Sequence, residues 1–267
     1  MQELLNEAKR LASEGVKELV LVAQETTLYG KDLTGEKQLP LLLHELCKIE
    51  GIEWIRLLYC YPEEITDELI EAIKTEEKVC NYIDMPIQHS ENRILQRMGR
   101  RTSREDLVAV IKKLRQEIPD ITIRTTLITG FPGETKEQHK ELLEFINDME
   151  FDRLGVFTYS PEEGTPAAAM EHQIDEEVKL DRQAELMELQ QDISAELGER
   201  RIGQELLVMI EGKVADEDAY VGRSQADAPG VDGYVFVNTP ETLVSGDFVR
   251  VKITGALEYD LIGEISQ

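Results

Sequence analysis

Five short, almost continuously apolar runs, each followed by a longer amphipathic stretch, restrict what this chain can fold into more than any other feature. Leu19-Val20-Leu21-Val22-Ala23 carries no polar alternation, the mark of strands covered on both faces, as parallel strands are. The pattern predicts strands near Lys17 to Ala23, Trp54 to Cys60, Val79 to Asp84, Ile121 to Thr129 and Asp152 to Ser160. Helices are expected near Leu39 to Lys48, Thr66 to Lys74, Ser103 to Ile118, Thr135 to Met149 and Asp175 to about Arg200. Ser103 with Asp106, and Thr135 with Gln138, supply N-terminal boxes, and Gly15 reads as the stop of a first helix, Gln2 to Ser13. The series therefore opens on a helix where a strand is due. Five strands cannot close an eight-stranded barrel, so the expectation is an α/β fold with an open, partial parallel βα barrel. Its missing first strand would leave an uncovered edge, a pairing liability.

Beyond Gly203 the helical period disappears and short strands alternate with Gly, Asp and Pro turns. Glu205 to Glu211, Ala219 to Ser224, Val231 to Val237, Phe248 to Thr254 and Glu258 to Glu264 predict a small antiparallel β-barrel of the OB-like kind. Two domains follow, residues 1–200 with the long connecting helix and residues 203–267, with the boundary at Gly198 to Gly203. The formal charge of −25 repels a phosphate backbone, and the terminal segment, with 12 acids against 4 bases, lacks the basic face that nucleic-acid binding needs. Free nucleic acid is thus a poor partner, and a basic protein or a small substrate in a neutral pocket a better one. No apolar run approaches the roughly 20 residues of a membrane span, and no export signal precedes Leu4, so no membrane partner and a cytoplasmic location are expected. The three cysteines, Cys47, Cys60 and Cys80, have neither disulfide nor metal spacing and read as buried thiols, so no metal ligands are assigned.

In parallel barrels, ligands sit on the loops that leave the C-terminal ends of the strands. Here those positions hold Gln24-Glu25-Thr26-Thr27, Tyr59-Cys60-Tyr61-Pro62, Pro86-Ile87-Gln88-His89-Ser90, Gly130-Phe131-Pro132-Gly133-Glu134-Thr135 and Tyr159-Ser160-Pro161. The fourth has two readings. Gly130 and Gly133 around Phe131-Pro132 let backbone approach a flat ligand, with free amides at the following helix start, or they form a tight strand-to-helix turn and nothing more. Arg124 and Arg56 lie in mid-strand, where each needs a carboxylate, either an internal one such as Glu25 or Asp84 or one on a ligand. His89 is a candidate acid or base, with a structural role as its alternative; Glu25 is a ligand contact or a helix cap. His44, His139 and His172 are read as structural. No phosphate loop, Ser-His-Asp order or metal cluster supports a kinase or hydrolase, and no catalytic residue is assigned.

Five strings carry a resemblance: Ala23-Gln24-Glu25-Thr26-Thr27-Leu28-Tyr29-Gly30, Trp54-Ile55-Arg56-Leu57-Leu58-Tyr59, Pro86-Ile87-Gln88-His89-Ser90, Arg124 to Thr135, and Phe151-Asp152-Arg153-Leu154-Gly155-Val156-Phe157. They resemble the radical S-adenosylmethionine methylthiotransferases. Ala226-Asp227-Ala228-Pro229 and Asp232-Gly233, in a terminal barrel that resembles a TRAM domain, favour the branch acting on a ribosomal protein over its tRNA-modifying relatives, as does the acidic charge. The resemblance implies a radical SAM-type barrel. It implies a [4Fe-4S] cluster that cleaves S-adenosylmethionine to a 5′-deoxyadenosyl radical, which abstracts hydrogen from the β-carbon of an aspartate on the twelfth small-subunit ribosomal protein, a basic partner. A methylthio group is then inserted, with an auxiliary cluster and a second S-adenosylmethionine as sources. The Cys-x-x-x-Cys-x-x-Cys run of that family and its auxiliary-cluster domain are missing from these residues, so a truncated, inactive chain is expected. Carried over residue by residue, the resemblance puts Gln24 and Glu25 near the methionine amino end, Arg124 toward its carboxylate, and Gly130, Phe131, Pro132 and Gly133 with Tyr159 around the adenine. Gln88 lies at the same rim, toward substrate or cofactor. The alternatives are a tRNA methylthiotransferase of the same family and a non-catalytic module that binds a basic ribosomal protein.

Overall fold

A computed structural model describes residues 1–266. The chain order is α1 (Gln2–Ser13), β1 (Glu18–Leu21), α2 (Lys31–Thr34), α3 (Leu39–Cys47), β2 (Trp54–Leu57), α4 (Asp67–Thr75), β3 (Val79–Asp84), α5 (Asn92–Arg97), α6 (Arg104–Glu117), β4 (Thr122–Thr129), α7 (Lys136–Met149), β5 (Arg153–Thr158) and α8 (Glu176–Glu199). Five further strands follow, β6 (Glu205–Lys213), β7 (Ala219–Arg223), β8 (Val235–Asn238), β9 (Phe248–Ala256) and β10 (Leu261–Ile265). The first five strands form one open sheet in the order β1-β2-β3-β4-β5, every neighbour parallel. The sequence-based strand and helix expectations are met within a few residues, and both boxes form, Ser103 with Asp106 and Thr135 with Gln138. Gly15 follows α1 at φ +93°, a conformation that side chains other than glycine's rarely tolerate.

Alternation along each strand sends side chains to two different environments. On one face Leu19, Ile55, Leu57, Ile83, Ile123 and Leu127 form a single core with Leu43 and Leu46 of α3, Ile111 of α6 and Phe145 of α7. On the other, Glu18, Arg56, Tyr82, Arg124 and Arg153 meet the segment Arg223 to Asp232 of the terminal barrel. The β5 edge is sealed by α8, whose Lys179 Nζ, Gln183 Nε2 and Gln190 Nε2 donate to the carbonyls of Tyr159, Val156 and Phe151 at 2.8, 2.6 and 2.8 Å. No described helix is long and apolar enough to cross a membrane.

The terminal barrel closes in the order β10-β8-β7-β6-β9, around Val208, Ile210, Val235, Val237, Val251 and Ile253. It is not wholly antiparallel as the sequence reading has it: β8 and β10 pair parallel, Val235 opposite Leu261. Strand parity requires this, because an odd number of strands cannot alternate direction around a closed ring. The third and fifth strands also start later than their apolar character suggests, at Val235 and Leu261, because Asp260 Oδ1 first accepts the Tyr234 amide at 2.8 Å and holds the two loops together.

Candidate functional site

The C-terminal ends of all five strands of the open sheet converge on one hollow of about 770 Å³. Gln24 comes from beyond β1, Tyr59 and Tyr61 from beyond β2, Asp84 and Gln88 from the end of β3, Arg124 and Thr126 from β4, and Phe157 and Tyr159 from β5. Of the residues singled out from sequence, the fold brings together Gln24, Gln88, Arg124 and Tyr159.

Two of the wall residues are non-glycines at positive φ, Tyr59 at +58° and Gln88 at +69°. Such backbone costs about 1 to 3 kcal/mol and persists only where neighbours hold it. For Tyr59 the holding group is Asp84, whose Oδ2 accepts its amide at 3.0 Å. For Gln88 it is β4: its amide donates to Thr126 O at 2.9 Å and its carbonyl accepts from Ile128 at 2.8 Å. The same wall holds two buried polar atoms without a protein partner, Gln88 Oε1 and Tyr159 Oη. Buried orphans of this kind are costly, and they mark Gln88 and Tyr159 as residues of the wall whose polar ends the protein itself leaves unsatisfied.

Arg124 is internally paired. Its Nη1 donates to Asp84 Oδ1 at 2.8 Å and to Thr126 Oγ1 at 3.3 Å, and its Nε lies 3.4 Å from Asp232 Oδ1. Asp84, one of the two partners the sequence offers it, is the one the register places opposite, Asp84 against Arg124. Two carboxylates against one guanidinium leave this wall without excess positive charge, so what Arg124 offers a ligand carboxylate is a hydrogen bond rather than an unpaired charge. Arg56 likewise meets an internal carboxylate, though neither Glu25 nor Asp84: it pairs with Glu18 at 2.7 Å, which the register sets opposite Trp54, two residues before Arg56 in β2.

Glu25 stands outside the lining of the hollow. It caps the short 3-10 turn Thr26–Leu28, its Oε1 accepting from the amides of Thr27 at 3.1 Å and Tyr61 at 3.3 Å and from the Thr27 hydroxyl. Burial pushes its carboxyl above the usual range. The Gly130 to Gly133 loop likewise sits behind the wall. The loop's own amides are taken, Gly130 N and Phe131 N both donating to Glu134 Oε2, at 2.6 and 3.2 Å, and Gly133 N to His172 O at 2.8 Å. At the helix start, where free amides are expected from the sequence, Thr135 N donates to Gln138 Oε1 at 2.9 Å and Gln138 N to Thr135 Oγ1 at 3.3 Å. The loop's glycines, at φ +72° and +76°, take a backbone that other residues rarely adopt, and Gly130 lies under the buried stem of Lys179, which leaves no room for a Cβ. Phe131 meets the Tyr159 ring edge-on at 5.1 Å, so the loop supports a wall residue from behind.

His89 is fully buried, and desolvation, with His139 and Arg182 nearby, pushes it down to about 3. It is neutral, its Nδ1 accepts the Glu91 amide at 3.0 Å, and it does not line the hollow. His139 is also buried, on Glu185 at 2.8 Å. Burial pushes the thiols of Cys47 and Cys80 up to about 11 and about 12 and that of Cys60 well above its ordinary value. The described residues contain no group of three His, Cys, Asp or Glu side chains able to hold a metal ion, so they do not fit an iron–sulfur cluster. A nucleoside fits better: the hollow's volume is that of a small-molecule site, with aromatic walls and a few unpaired polar atoms. Tyr61, Phe157 and Thr126 line the hollow without having been assigned a role; the signal for Tyr61 and Phe157 was their place at strand ends, whereas Thr126 lies in mid-strand. Asp232, from a distant loop, carried no positional signal at all.

Comparison with known proteins agrees with this architecture. The family profile described as Radical SAM superfamily matches residues 1–146, and that described as TRAM domain matches residues 202–265. The ribosomal protein uS12 methylthiotransferase RimO of Lachnoclostridium phytofermentans is 60% identical over 98% of this chain and 60% of its own length. The protein of the same name from Desulfitobacterium hafniense is 54% identical over 100% of the chain and 60% of its own length. The chain thus spans about 60% of the curated relatives it matches. Among solved structures, coproporphyrinogen III oxidase HemN from Escherichia coli aligns with a TM-score of 0.52 at 14% identity, covering 84% of this chain and 60% of that one. The methyltransferase TsrM from Kitasatospora setae aligns at 0.51 and 16% identity, over 62% and 32%; at these identities the likeness is one of fold.

Proposed function

The chain belongs to the radical SAM superfamily, and from that premise we propose that its hollow is the S-adenosylmethionine site of a methylthiotransferase acting on the β-carbon of an aspartate in a basic small-subunit ribosomal protein, in the cytoplasm. The observation that carries this is the hollow itself, built by all five strand ends and walled by Gln24, Gln88, Arg124 and Tyr159 together. When bound, S-adenosylmethionine supplies a sulfonium carrying adenosyl and methyl groups. The chain's own residues orient it. Tyr159, stiffened by Phe131, and Gln88, held by β4, give hydrogen bonds and a ring face to the nucleoside. Asp84 and the rings of Tyr59 and Phe157 suit the cationic end, with Gln24 beside it. Arg124 offers a donor to the methionine carboxylate. Together these walls shelter the sulfonium from water.

The thiols of the described residues are dispersed and held protonated, so no radical step is assigned to them and this chain by itself is proposed to be inactive. The ribosomal-protein branch is supported by the 60% identity to the uS12 methylthiotransferase and by the terminal segment's excess of acids. Calorimetric titration of the chain with S-adenosylmethionine and S-adenosylhomocysteine tests the site. Both are expected to bind, and Gln88→Ala or Tyr159→Phe to weaken them about tenfold, the effect of one lost hydrogen bond; no binding, or binding indifferent to both substitutions, sinks the assignment. A pull-down comparing the basic ribosomal protein with tRNA at physiological salt separates the branches.

A further inference from the structure

The terminal barrel reaches the hollow through an unbroken line of polar contacts. Its Asp232 is 3% exposed at the side chain, and its Oδ2 accepts from Tyr82 Oη at 2.7 Å and from its own loop's Ala228 N at 2.8 Å. That leaves Oδ1 facing Arg124 Nε at 3.4 Å. Arg124 passes the constraint on by donating to Asp84 Oδ1, while Asp84 Oδ2 accepts the Tyr59 amide. Tyr59, in its left-handed backbone, then accepts from Thr26 N with its carbonyl at 3.0 Å, in the loop that bears Gln24. Arg153 of β5, bonded to Asp227 at 2.6 Å, fixes the same barrel segment from the side.

We infer that Asp232 is a positioning residue for the hollow: the terminal barrel uses it to fix Arg124, and through Asp84 to fix the strained Tyr59 at the rim. A guanidinium between two carboxylates has a single orientation that satisfies both. With one carboxylate gone, Arg124 keeps Asp84 but loses the restraint on its Nε side, and the Asp84 oxygen that holds Tyr59 becomes free to follow the guanidinium. The left-handed backbone at Tyr59 then relaxes, since that hydrogen bond and its carbonyl contact are the two that Tyr59's own backbone makes, its neighbours Leu58 and Cys60 being tied separately to Leu21 O and Asp84 O. The barrel thus braces the wall of the hollow from behind, through Arg124, and whatever binds the barrel and shifts its Arg223 to Asp232 segment reshapes the hollow at a distance. The inference rests on the proposed site only for what the hollow holds; the geometry it invokes is independent of any ligand.

The test is amide hydrogen exchange on the full chain for Asp232→Asn and, as a control, Tyr82→Phe, which removes the other side-chain contact to Asp232 without touching the guanidinium. Asp232→Asn is expected to speed exchange at Tyr59 about tenfold beyond any change at the core amides of β3, and Tyr82→Phe to leave Tyr59 moving with the core. Equal acceleration at Tyr59 and the core, or none at Tyr59, overturns the inference. A second arm titrates S-adenosylhomocysteine and 5′-deoxyadenosine: Asp232→Asn is expected to weaken the former severalfold and spare the latter. Equal weakening of both overturns the positioning role. If the unmodified chain binds neither ligand, the proposed site fails while the exchange result still decides the coupling.

Discussion

Where the helices cover the sheet, Leu57, Ile83 and Ile123 join an apolar core; where the terminal barrel covers it, Arg56, Tyr82 and Arg124 of the same strands meet carboxylates and carbonyls. Burial is equally deep on both sides, with Leu57 and Arg56 both 0% exposed. The apolar face gains free energy from area alone, indifferent to small rotations. The ionic face gains little over an apolar equivalent but admits one placement of its partners. Arg56 shows the demand: Nε on Glu18 at 2.7 Å, Nη1 on Gln225 O at 2.6 Å, the guanidinium 4.6 Å over the Tyr82 ring. Helices can be stacked on a sheet approximately, whereas this barrel is seated in one pose.

One conservative swap made on each face breaks or confirms the contrast. Arg56→Met keeps the apolar stem but strands buried acceptors, and is expected to lose about 3 to 5 kcal/mol in urea unfolding. Leu57→Met, next to it on the other face, is expected to lose under about 1.5 kcal/mol. Equal losses would mean the ionic face is no more exacting than the greasy one.

A polar exception buried among helices gives the next effect. His89 is held at about 3 against its ordinary 6.5, so the unfolded chain takes up a proton that the folded chain refuses. Its contribution is fully present above pH 6.5 and is lost as pH falls toward 3, to a total of at most ~5 kcal/mol. Stability measured from pH 7 to 4 is expected to fall less steeply in His89→Gln than in the unmodified chain; parallel curves would show that His89 titrates normally. The smallest effect is local: Thr135→Ala removes the acceptor for the Gln138 amide and is expected to cost about 1 kcal/mol in thermal unfolding, with the hollow unaffected.

Most of the fold could be read in advance because its signals are local. A box such as Ser103 with Asp106, or an apolar run such as Val79 to Asp84, reports its own structure within a few residues. The hollow was legible in outline, since position at a strand end identifies Gln24, Gln88 and Tyr159 without knowledge of contacts. Direction was not. The Gly130 to Gly133 loop has a composition that fits a ligand cradle and a packed turn equally, and its partners decide for the turn: Glu134 and His172 on its amides and Lys179 over Gly130. Pairings over long separations, Arg56 with Gln225 or Arg124 with Asp232, leave no periodic trace, because charged partners have no spacing rule outside a single helix.

The seal that α8 lays along β5 has a consequence for how the sequence can vary. Lys179, Gln183 and Gln190 are four and seven residues apart, so they share one helical stripe. Adding or deleting a single residue between Lys179 and Gln190 would turn half of that stripe by roughly 100° and expose Val156 O or Phe151 O to whatever strand drifts past. Length along this helix is therefore under tighter constraint than hydrophobicity, and indels there should produce self-association before they produce unfolding.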